Sequence, residues 1–371
     1  MSQTIVTGLD SHKRIQKILT ELKCRKYLLV CDPSFAFLSI RDYFEGIGVP
    51  YVKFSDFTPN PLYEDVCKGV ALFNHEKCDT IIAVGGGSSL DVAKCIKLYA
   101  GMDTEQNYLE QEYRDTGIPF IAVPTTAGTG SESTRYAVIY YQGQKQSVTH
   151  DSIVPDYAVL DHSVLRTLPL YQKKCTMLDA LCQGIESWWS VNSTDESKAY
   201  SRIAVETIMK YKDAYLNDSD DEAAGQIMLA SNYAGRAIHI TQTTAAHAMS
   251  YKLTSTYGFP HGHAVAICLP ELWDYMRNHL EACIDTRGEN YLKTVFGEIE
   301  AALTGGAPGD AVAVFREMLD TMGIQGTQNS VEPQQLQLLA ESVNPTRLKN
   351  NPIRLSEDVI SKLYRKILGK K

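Results

Sequence analysis

The stretch AVGGGSSLDVAK at residues 83–94 decides the fold class of this chain. It reads as a buried β-strand that passes through a tight turn into a helix, with Gly85, Gly86, Gly87, Ser88 and Asp91 at the turn and first helical residues. Glycine lets a backbone approach a ligand closely, and the free N–H groups at a helix N-terminus attract an anion such as a pyrophosphate. A turn that binds nothing would suit the same residues, since this is not the usual GxGxxG pattern. Both interpretations predict a strand, a turn and a helix here.

Apolar β-rich runs alternate with helical patterns on both sides of this turn. The runs are YLLVC at 27–31, YVKF at 51–54, TIIAV at 80–84 and FIAV at 120–123. Such alternation is typical of a parallel sheet covered by helices on both faces. From about residue 165 the strand signals fade, and helical stretches follow at 176–190, 199–216, 222–238 and 356–368. We predict an α/β dinucleotide-binding domain over residues 1–165 and an all-α domain over residues 166–371.

A second candidate loop, PTTAGTGSES at 124–133, follows the run FIAV. Its hydroxyls and glycines are predicted to contact the phosphates and the nicotinamide end of the same cofactor, at Thr125, Thr126, Gly128 and Ser131. Asp32 ends the first run, where a carboxylate accepts hydrogen bonds from ribose hydroxyls and repels a 2′-phosphate. This favours NADH over NADPH, although an aspartate that opens the turn before Pro33 accounts for the residue equally well.

Composition and charge exclude two classes of partner. Apolar residues make up 44% of the chain and charged residues 22%, as in globular proteins. The net charge of −8 argues against DNA or RNA, because nonspecific binding to a phosphate backbone needs clustered Lys and Arg. The first residues lack a signal-peptide pattern, and no stretch approaches the roughly 20 apolar residues of a membrane helix. We expect a cytoplasmic protein that binds neither nucleic acid nor membranes.

Candidate metal ligands lie in two segments of the helical half. In TMLDALCQGIESWW at 176–189, Asp179 and Gln183 are four residues apart and share one helix face. The segment TTAAHAMSYKLTSTYGFPHGHAVAICLP at 243–270 adds His247, Tyr251, His261 and His263. One carboxylate with two imidazoles suits Fe(II) or Zn(II), which would polarise a substrate oxygen for hydride transfer. Taken singly, each of these residues is as readily a solvated or packed side chain.

Together these motifs resemble the iron-containing (group III) alcohol dehydrogenases. The resemblance runs nearly end to end, through GGGSSLDVAK, PTTAGTGSE, LDAL at 178–181, AAHAMS, FPHGHAVA and NNPIRLSEDVI at 350–360. It implies the fold shared with dehydroquinate synthase, NADH or NADPH as cofactor, one divalent metal ion (Fe2+ or Zn2+ favoured) and a homodimer or larger assembly. It also implies that Asp179, His247 and His261 are ligands, because they match the family's ligand positions.

Two positions depart from the family pattern. Gln183 stands where many members have a histidine four residues after the aspartate, and Tyr251 stands where they have another histidine. Gln183 can still coordinate through its amide oxygen, but this is a weaker ligand than imidazole for a transition metal, so Mn(II) and Ni(II) also stay open. Tyr251, His263 and a water chain are all candidates for the proton supply, and the sequence does not rank them.

The segments LDALCQGIESWWS and TTAGTGSESTRYAVIYY are most similar to family members that reduce phosphonoacetaldehyde to 2-hydroxyethylphosphonate. A phosphonate dianion needs cationic partners. We assign Arg135 and Lys252 to the substrate and Lys145 to the cofactor, although surface positions explain all three equally well.

The predicted function is metal-dependent, NAD(P)H-linked reduction of a small aldehyde to a primary alcohol. Two other substrates stay open, lactaldehyde and succinic semialdehyde. A sugar-phosphate cyclase similar to dehydroquinate synthase is disfavoured, because it would need more Lys, Arg and Asn around the metal. A third alternative is a non-catalytic binding protein that has lost ligands, since Gln183 and Tyr251 depart from the pattern.

Overall fold

The computed structural model describes residues 3–218, 220–327 and 331–369. The chain divides into two compact units, the first containing Met1–Leu168 with Ser219–Asn232 and the second containing Pro169–Asp218 with Tyr233–Lys371. The predicted boundary after residue 165 lies close to the end of the first segment. The sequence places residues 219–232 in the helical domain, whereas they group with the first unit. Strand and helix signals are read along the chain, so they cannot show that a later segment packs with an earlier unit.

The first unit is built on a six-stranded parallel sheet. Its strands are β1 (Thr4–Thr7), β2 (Tyr27–Cys31), β3 (Tyr51–Phe54), β4 (Thr80–Gly85), β5 (Phe120–Pro124) and β8 (Tyr157–Leu160), in the order β1-β8-β5-β4-β2-β3. Strands β2, β4 and β5 are buried along their whole length, as their unbroken apolar sequence predicts. The four predicted strands are confirmed. The carboxyl ends of β2 and β4 lie side by side where the connections change direction along the sheet, which is where such sheets bind ligands.

An antiparallel hairpin outside this sheet is not predicted from the sequence. Its strands β6 (Tyr136–Tyr141) and β7 (Gln144–Thr149) are joined through Gln142 and Gly143, whose φ angles are 50° and 72°. Two successive residues with positive φ form the kind of turn that matches the twist of an antiparallel pair. The signal is weak in the sequence because β7 (QKQSVT) contains a single large apolar residue.

Four helices connect the strands of the first unit, α1 (Ile15–Glu21), α2 (Arg41–Gly46), α3 (Tyr63–His75) and α4 (Gly87–Tyr99). Helices α3 and α4 bury an apolar cluster against the sheet that includes Val66, Val70 and Ile96. Most of α4 is buried, so the turn at its N-terminus is fixed by packing on several sides.

The second unit is helical, which confirms the predicted fold class. Its helices are α5 (Leu170–Trp189), α6 (Asp195–Asp213), the C-terminal part of α7 (Asp221–Thr241), α8 (Ala245–Tyr257), α9 (His261–Arg277), α10 (Glu289–Thr304), α11 (Ala311–Met322), α12 (Pro333–Glu341), α13 (Pro345–Leu348) and α14 (Glu357–Leu368). In its described residues the only strand-like pairing is a single bridge between Cys283 and Ile353. Across the described part of the whole chain, every helix is too short or too polar to span a membrane.

A buried His–Asp pair joins the ends of the neighbouring strands β1 and β8. Asp161 accepts hydrogen bonds from the backbone N and Nδ1 of His12 at 3.0 and 2.5 Å, and from the backbone N of Ser163 at 3.0 Å. Burial alone would raise the pKa of Asp161, but the hydrogen bonds from His12 and Ser163 outweigh it and hold this pKa well below its usual range. The ionised carboxylate therefore stabilises the folded first unit.

We expect Asp161→Asn to lower the free energy of unfolding of the first unit by about 2 kcal/mol at neutral pH, since hydrogen bonds to a charged group contribute that much. Because the folded pKa is depressed, this stabilisation is present above the unfolded pKa of about 3.9 and is lost as the pH falls through the folded value. Denaturation of both proteins at neutral pH and below pH about 4 tests this. A difference in unfolding free energy that grows on acidification contradicts the assignment. The control is Asp221→Asn, which removes the carboxylate of the exposed pair Arg166–Asp221 and should have a much smaller effect.

Candidate active site

One face of α5 carries three buried polar side chains. Asp179, Gln183 and Glu186 are spaced by four and three residues, so they project from the same side of the helix. None exposes more than 3% of its surface. A buried carboxylate needs a cation or several hydrogen bonds to offset its lost hydration. Two carboxylates on one buried face therefore call for positively charged or hydrogen-donating partners.

Two histidines from neighbouring helices converge on Asp179. His247 lies in the first turn of α8, and His261 is the first residue of α9. Their Nε2 atoms are 3.3 and 3.9 Å from Oδ1 of Asp179. One ligand atom from each of the three residues lies within 4.8 Å of the other two. Two imidazole nitrogens and a carboxylate oxygen arranged in this way fit Fe(II) or Zn(II).

The far side of each imidazole is held by the protein. Nδ1 of His247 contacts Oε2 of Glu186, and Nδ1 of His261 lies 3.5 Å from the Ser250 hydroxyl. That hydroxyl donates to the carbonyl of His247 at 2.8 Å. Both rings therefore present Nε2 toward Asp179, as metal-binding histidines do when their other nitrogen is engaged.

Gln183 lies one turn after Asp179 on the same face of α5. Its Oε1 atom is buried and has no hydrogen-bond partner among the described residues. Leaving a buried acceptor unpaired costs about 1–3 kcal/mol, so a ligand for this oxygen would stabilise the fold. Asp179, His247 and His261 therefore fit a divalent ion, and an unpaired amide oxygen is carried by the same face of α5.

The charges of the site favour a bound cation. Burial alone would lower the pKa of His247, but the carboxylates of Glu186 and Asp179 outweigh it and raise this pKa to about 10. Burial would likewise raise the pKa of Asp179, yet hydrogen bonding to His247 and the charge of His261 leave it below its usual value. The two carboxylates around His247 therefore favour a positive charge at this position.

The α5 and α9 helices approach each other at Gly262, between the two histidines of the HGH sequence. A Cβ atom at this position would lie 1.9 Å from the carbonyl oxygen of Cys175 and 2.9 Å from Cβ of Asp179. Only glycine permits this backbone contact. The contact sets how far His261 lies from Asp179.

The two candidate proton donors differ in their surroundings. Tyr251 follows His247 by one turn of α8, and its ring stacks on His261 with centroids 5.6 Å apart. His263 contacts the Tyr171 hydroxyl through Nδ1 and the carbonyl of Gln325 through Nε2, both at 2.8 Å. Burial lowers the pKa of His263, so a neutral ring that donates through Nε2 and accepts through Nδ1 matches these contacts. Both residues stay predictions as proton donors, and Tyr251 is the one whose ring stacks on a candidate ligand.

The glycine turn of the first unit lies where the sequence predicts a phosphate site, between the carboxyl end of β4 and the N-terminus of α4. A Cβ atom at Gly85 would lie 2.2 Å from the Ser89 hydroxyl. That hydroxyl donates to Oδ2 of Asp32 at 3.1 Å, and Oδ1 of Asp32 accepts from the backbone of Ser34 at 2.7 Å. Asp32 therefore lies at the turn and also caps the short helix Pro33–Phe37.

The second loop packs directly on the first. A Cβ atom at Gly87 would lie 3.0 Å from the Thr129 methyl group, and one at Gly86 would lie 3.6 Å from that of Thr126. The backbone N of Thr125 donates to the carbonyl of Gly85 at 3.0 Å. The two segments thus form one surface, to which Ser88 and Gly128 also belong by chain position.

The buried side chain of Lys94 connects α4 to the second loop. Nζ of Lys94 donates to the hydroxyls of Ser131 and Thr134 and to the carbonyl of Tyr136, at 2.9, 3.0 and 2.8 Å. Asp91 accepts from Ser131 at 2.8 Å and from the backbone of Val138 at 2.9 Å. The predicted contacts Asp91 and Ser131 therefore bond within the protein and position the loops. Sequence analysis missed Lys94, although its i, i+3 spacing from Asp91 in the quoted motif is a signal.

The three cationic residues that are predicted to contact the substrate or the cofactor, Arg135, Lys145 and Lys252, have different surroundings. Arg135 pairs with Asp151 at 3.1 Å and lies against the Tyr136 ring. Lys145 is in β7, and its charge is one of several influences that partly offset the rise in the pKa of Asp91 caused by burial. Lys252 is exposed on α8, five residues after His247 and so roughly 140° around the helix from it. The assignment of Arg135 and Lys252 to the substrate stays a prediction.

Family models confirm what these two sites suggest. The model described as "Iron-containing alcohol dehydrogenase" matches residues 2–162, and "Fe-containing alcohol dehydrogenase family, C-terminal" matches residues 174–368. The chain belongs to the iron-containing alcohol dehydrogenase family. It is thus an oxidoreductase, and the predicted nicotinamide cofactor and divalent metal ion agree with this membership.

Individual members show how far the similarity extends. Phosphonoacetaldehyde reductase from Streptomyces viridochromogenes is 33% identical, over 77% of this chain and 75% of that protein. NAD-dependent methanol dehydrogenase from Bacillus methanolicus is 27% identical over 91% of this chain and 90% of its own length. The structure of an iron-containing alcohol dehydrogenase from Thermotoga maritima aligns with a TM-score of 0.82 at 26% identity, covering 100% and 99% of the two chains. The family's fold thus extends over the whole chain.

Proposed function

We propose that this iron-containing alcohol dehydrogenase reduces phosphonoacetaldehyde to 2-hydroxyethylphosphonate with NADH or NADPH. The convergence of Asp179, His247 and His261 on one point carries the reductase assignment. The substrate rests on the 33% identity to a phosphonoacetaldehyde reductase. We further propose that the enzyme acts in the cytoplasm as a homodimer or larger assembly.

The second unit would hold the metal ion through Asp179, His247 and His261, with the amide oxygen of Gln183 as a proposed fourth ligand. A divalent ion supplies a Lewis acid for a carbonyl oxygen, and a reduced nicotinamide supplies the hydride. The Tyr251 hydroxyl would donate its proton to the reduced carbonyl oxygen, which completes the alcohol, and the tyrosinate would regain a proton from solvent. Its stacking on His261 keeps it beside the ligands.

The cofactor is held by the first unit. Gly85, Gly86 and Gly87 would let the pyrophosphate approach the N-terminus of α4, and Lys94 binds Ser131 of the second loop. Asp32 lies at the end of β2, in the position where a carboxylate bonds ribose hydroxyls, which favours NADH.

We propose Arg135 of the first unit as a partner of the phosphonate, and Lys252 of the second unit as a separate candidate. The ion pair between Arg135 and Asp151 is exposed on the Asp151 side, so exchanging that partner for a phosphonate costs little. Lys252 is already accessible to an anion.

An assay of four aldehydes tests the substrate. Metal-reconstituted protein is offered phosphonoacetaldehyde, propanal, lactaldehyde and succinic semialdehyde, with NADH and NADPH separately, and cofactor oxidation is followed by absorbance. A kcat/KM for phosphonoacetaldehyde at least about tenfold above the others supports the proposal, equivalent to about 1.4 kcal/mol of discrimination. Equal or better rates with lactaldehyde or succinic semialdehyde retain the reductase and remove the phosphonate. No turnover of any aldehyde favours the cyclase or a non-catalytic protein.

Two different replacements of Gln183 should change the affinity for the metal ion in opposite directions. We expect Gln183→His to lower the dissociation constant for Zn2+ or Fe2+ by at least about tenfold, because imidazole is a stronger ligand than an amide oxygen. A tenfold change corresponds to about 1.4 kcal/mol of binding free energy. Gln183→Ala removes the amide oxygen and should weaken binding. Dissociation constants from competition with a chromophoric chelator measure both variants. Equal affinities in the two variants would show that residue 183 does not face the ion.

A further inference from the structure

Glu186 is a charged side chain beside the proposed metal site that the mechanism above does not use. It is wholly buried on α5, seven residues after Asp179. Its Oε1 atom accepts hydrogen bonds from the backbone N and hydroxyl of Thr244, at 3.1 and 2.7 Å, and from the backbone N of Ala246 at 3.0 Å. Its Oε2 atom contacts Nδ1 of His247. One carboxylate thus binds both the beginning of α8 and the side chain of a proposed ligand.

The contacts to α8 fix the helix that carries His247. The first N–H groups of a helix have no partner within the helix, and its N-terminus carries a partial positive charge. Glu186 satisfies these groups from α5, where no side chain of α8 itself does so, since Thr244 makes no capping bond. A second hydrogen bond is donated by Nε1 of Trp189 to the Thr244 hydroxyl at 3.0 Å. The start of α8 is therefore held against the helix that carries Asp179.

The contact to Nδ1 fixes the chemical form of His247. An ionised carboxylate only accepts hydrogen bonds, so Nδ1 must carry the hydrogen. In the neutral ring Nε2 then keeps its lone pair, and Nε2 is the atom that lies 3.3 Å from Asp179. Metal-binding histidines commonly use a carboxylate in this way.

We propose that Glu186 is a positioning residue of the metal centre, which holds His247 with Nδ1 protonated and Nε2 free to bind the ion. This inference rests on the proposed function. Together with Asp179, Glu186 also supplies the two negative charges that balance one divalent cation in a buried site. The site thereby favours a divalent ion that binds imidazole nitrogen.

The test is Glu186→Gln, which preserves size and keeps an oxygen for the N–H groups of α8. Its amide presents N–H to Nδ1, so it favours the opposite form of His247, with hydrogen on Nε2 where the ion would bind. We expect the dissociation constant for Zn2+ to rise by roughly 10–100-fold, the usual effect of losing such a partner. The visible absorption of the Co2+-loaded protein should change as well, because the ligand set changes. The melting temperature of the metal-free variant should stay near that of the unmodified protein.

Glu298→Gln is the matched control. Glu298 accepts from Nε1 of Trp188 at 3.0 Å on another helix, α10, and its replacement should leave Zn2+ affinity unchanged. Glu186→Asp retains the charge, and we expect affinity between those of Glu186→Gln and the unmodified protein. Affinity of Glu186→Gln within about twofold of the unmodified protein overturns this inference and leaves the proposed function standing. Absence of Zn2+ binding by the unmodified protein overturns both.

Discussion

Asp179→Ala is expected to lower kcat/KM for aldehyde reduction by about a thousandfold or more, because a Lewis-acid ion contributes several kcal/mol to the transition state and each 1.36 kcal/mol is a factor of ten. Asp179 is the carboxylate on which both histidines converge, so its loss removes the centre of the ligand set. Metal content of the purified protein, measured by elemental analysis, should fall in parallel with activity. Circular dichroism should show an unchanged helical signal.

A second variant shows whether a loss of activity in Asp179→Ala comes from the loss of a ligand or from unfolding. The side chain of His261 is 37% exposed, so His261→Ala leaves less unpaired polar surface behind while still removing a ligand. Asp358→Ala is the control, since that carboxylate is exposed on α14 and should leave both metal content and activity unchanged. Full activity in either ligand variant would refute the assignment of Asp179 and His261.

Gly262→Ala is expected to disrupt the site without removing any ligand. Its Cβ would lie 1.9 Å from the carbonyl oxygen of Cys175, and the backbone of α5 cannot rotate away as a side chain would. The α9 helix must therefore shift, and His261 shifts with it. We expect overpacking to lower the free energy of unfolding by about 1–3 kcal/mol. A displacement of about 1 Å at the reacting centre should reduce kcat by about a hundredfold.

Gly297→Ala provides the contrasting change for this prediction. Gly297 lies inside α10, and an added Cβ there meets nothing within 4 Å. Alanine in a helix interior stabilises by about 0.5–1 kcal/mol relative to glycine, so this variant should be slightly more stable and fully active. Chemical denaturation and turnover of the two variants together check the prediction. Equal stability of Gly262→Ala and the unmodified protein would contradict the close contact between α5 and α9.

The sequence by itself determined the class of fold and the types of residue in the site. Strands such as YLLVC and TIIAV are apolar throughout because they are covered on both faces, and this local property can be read from sequence. The pair Asp179 and Gln183 was placed on one helix face by spacing alone. The hairpin of β6 and β7 escaped prediction because a polar strand carries little hydrophobic signal.

Only the tertiary structure decided which partner each of these side chains has. Asp179 lies 68 positions before His247, and their approach depends on how α5, α8 and α9 pack. The same packing brought Glu186 to His247, and among the described residues it left Oε1 of Gln183 without a hydrogen-bond partner. It also placed the Lys94 ammonium against Ser131 of the second loop. Helical spacing shows which residues share a face, but it carries no information about what the face meets. Contacts between distant segments arise from the packing of the whole core, and for this reason the roles of Glu186 and Lys94 became visible only in the folded chain.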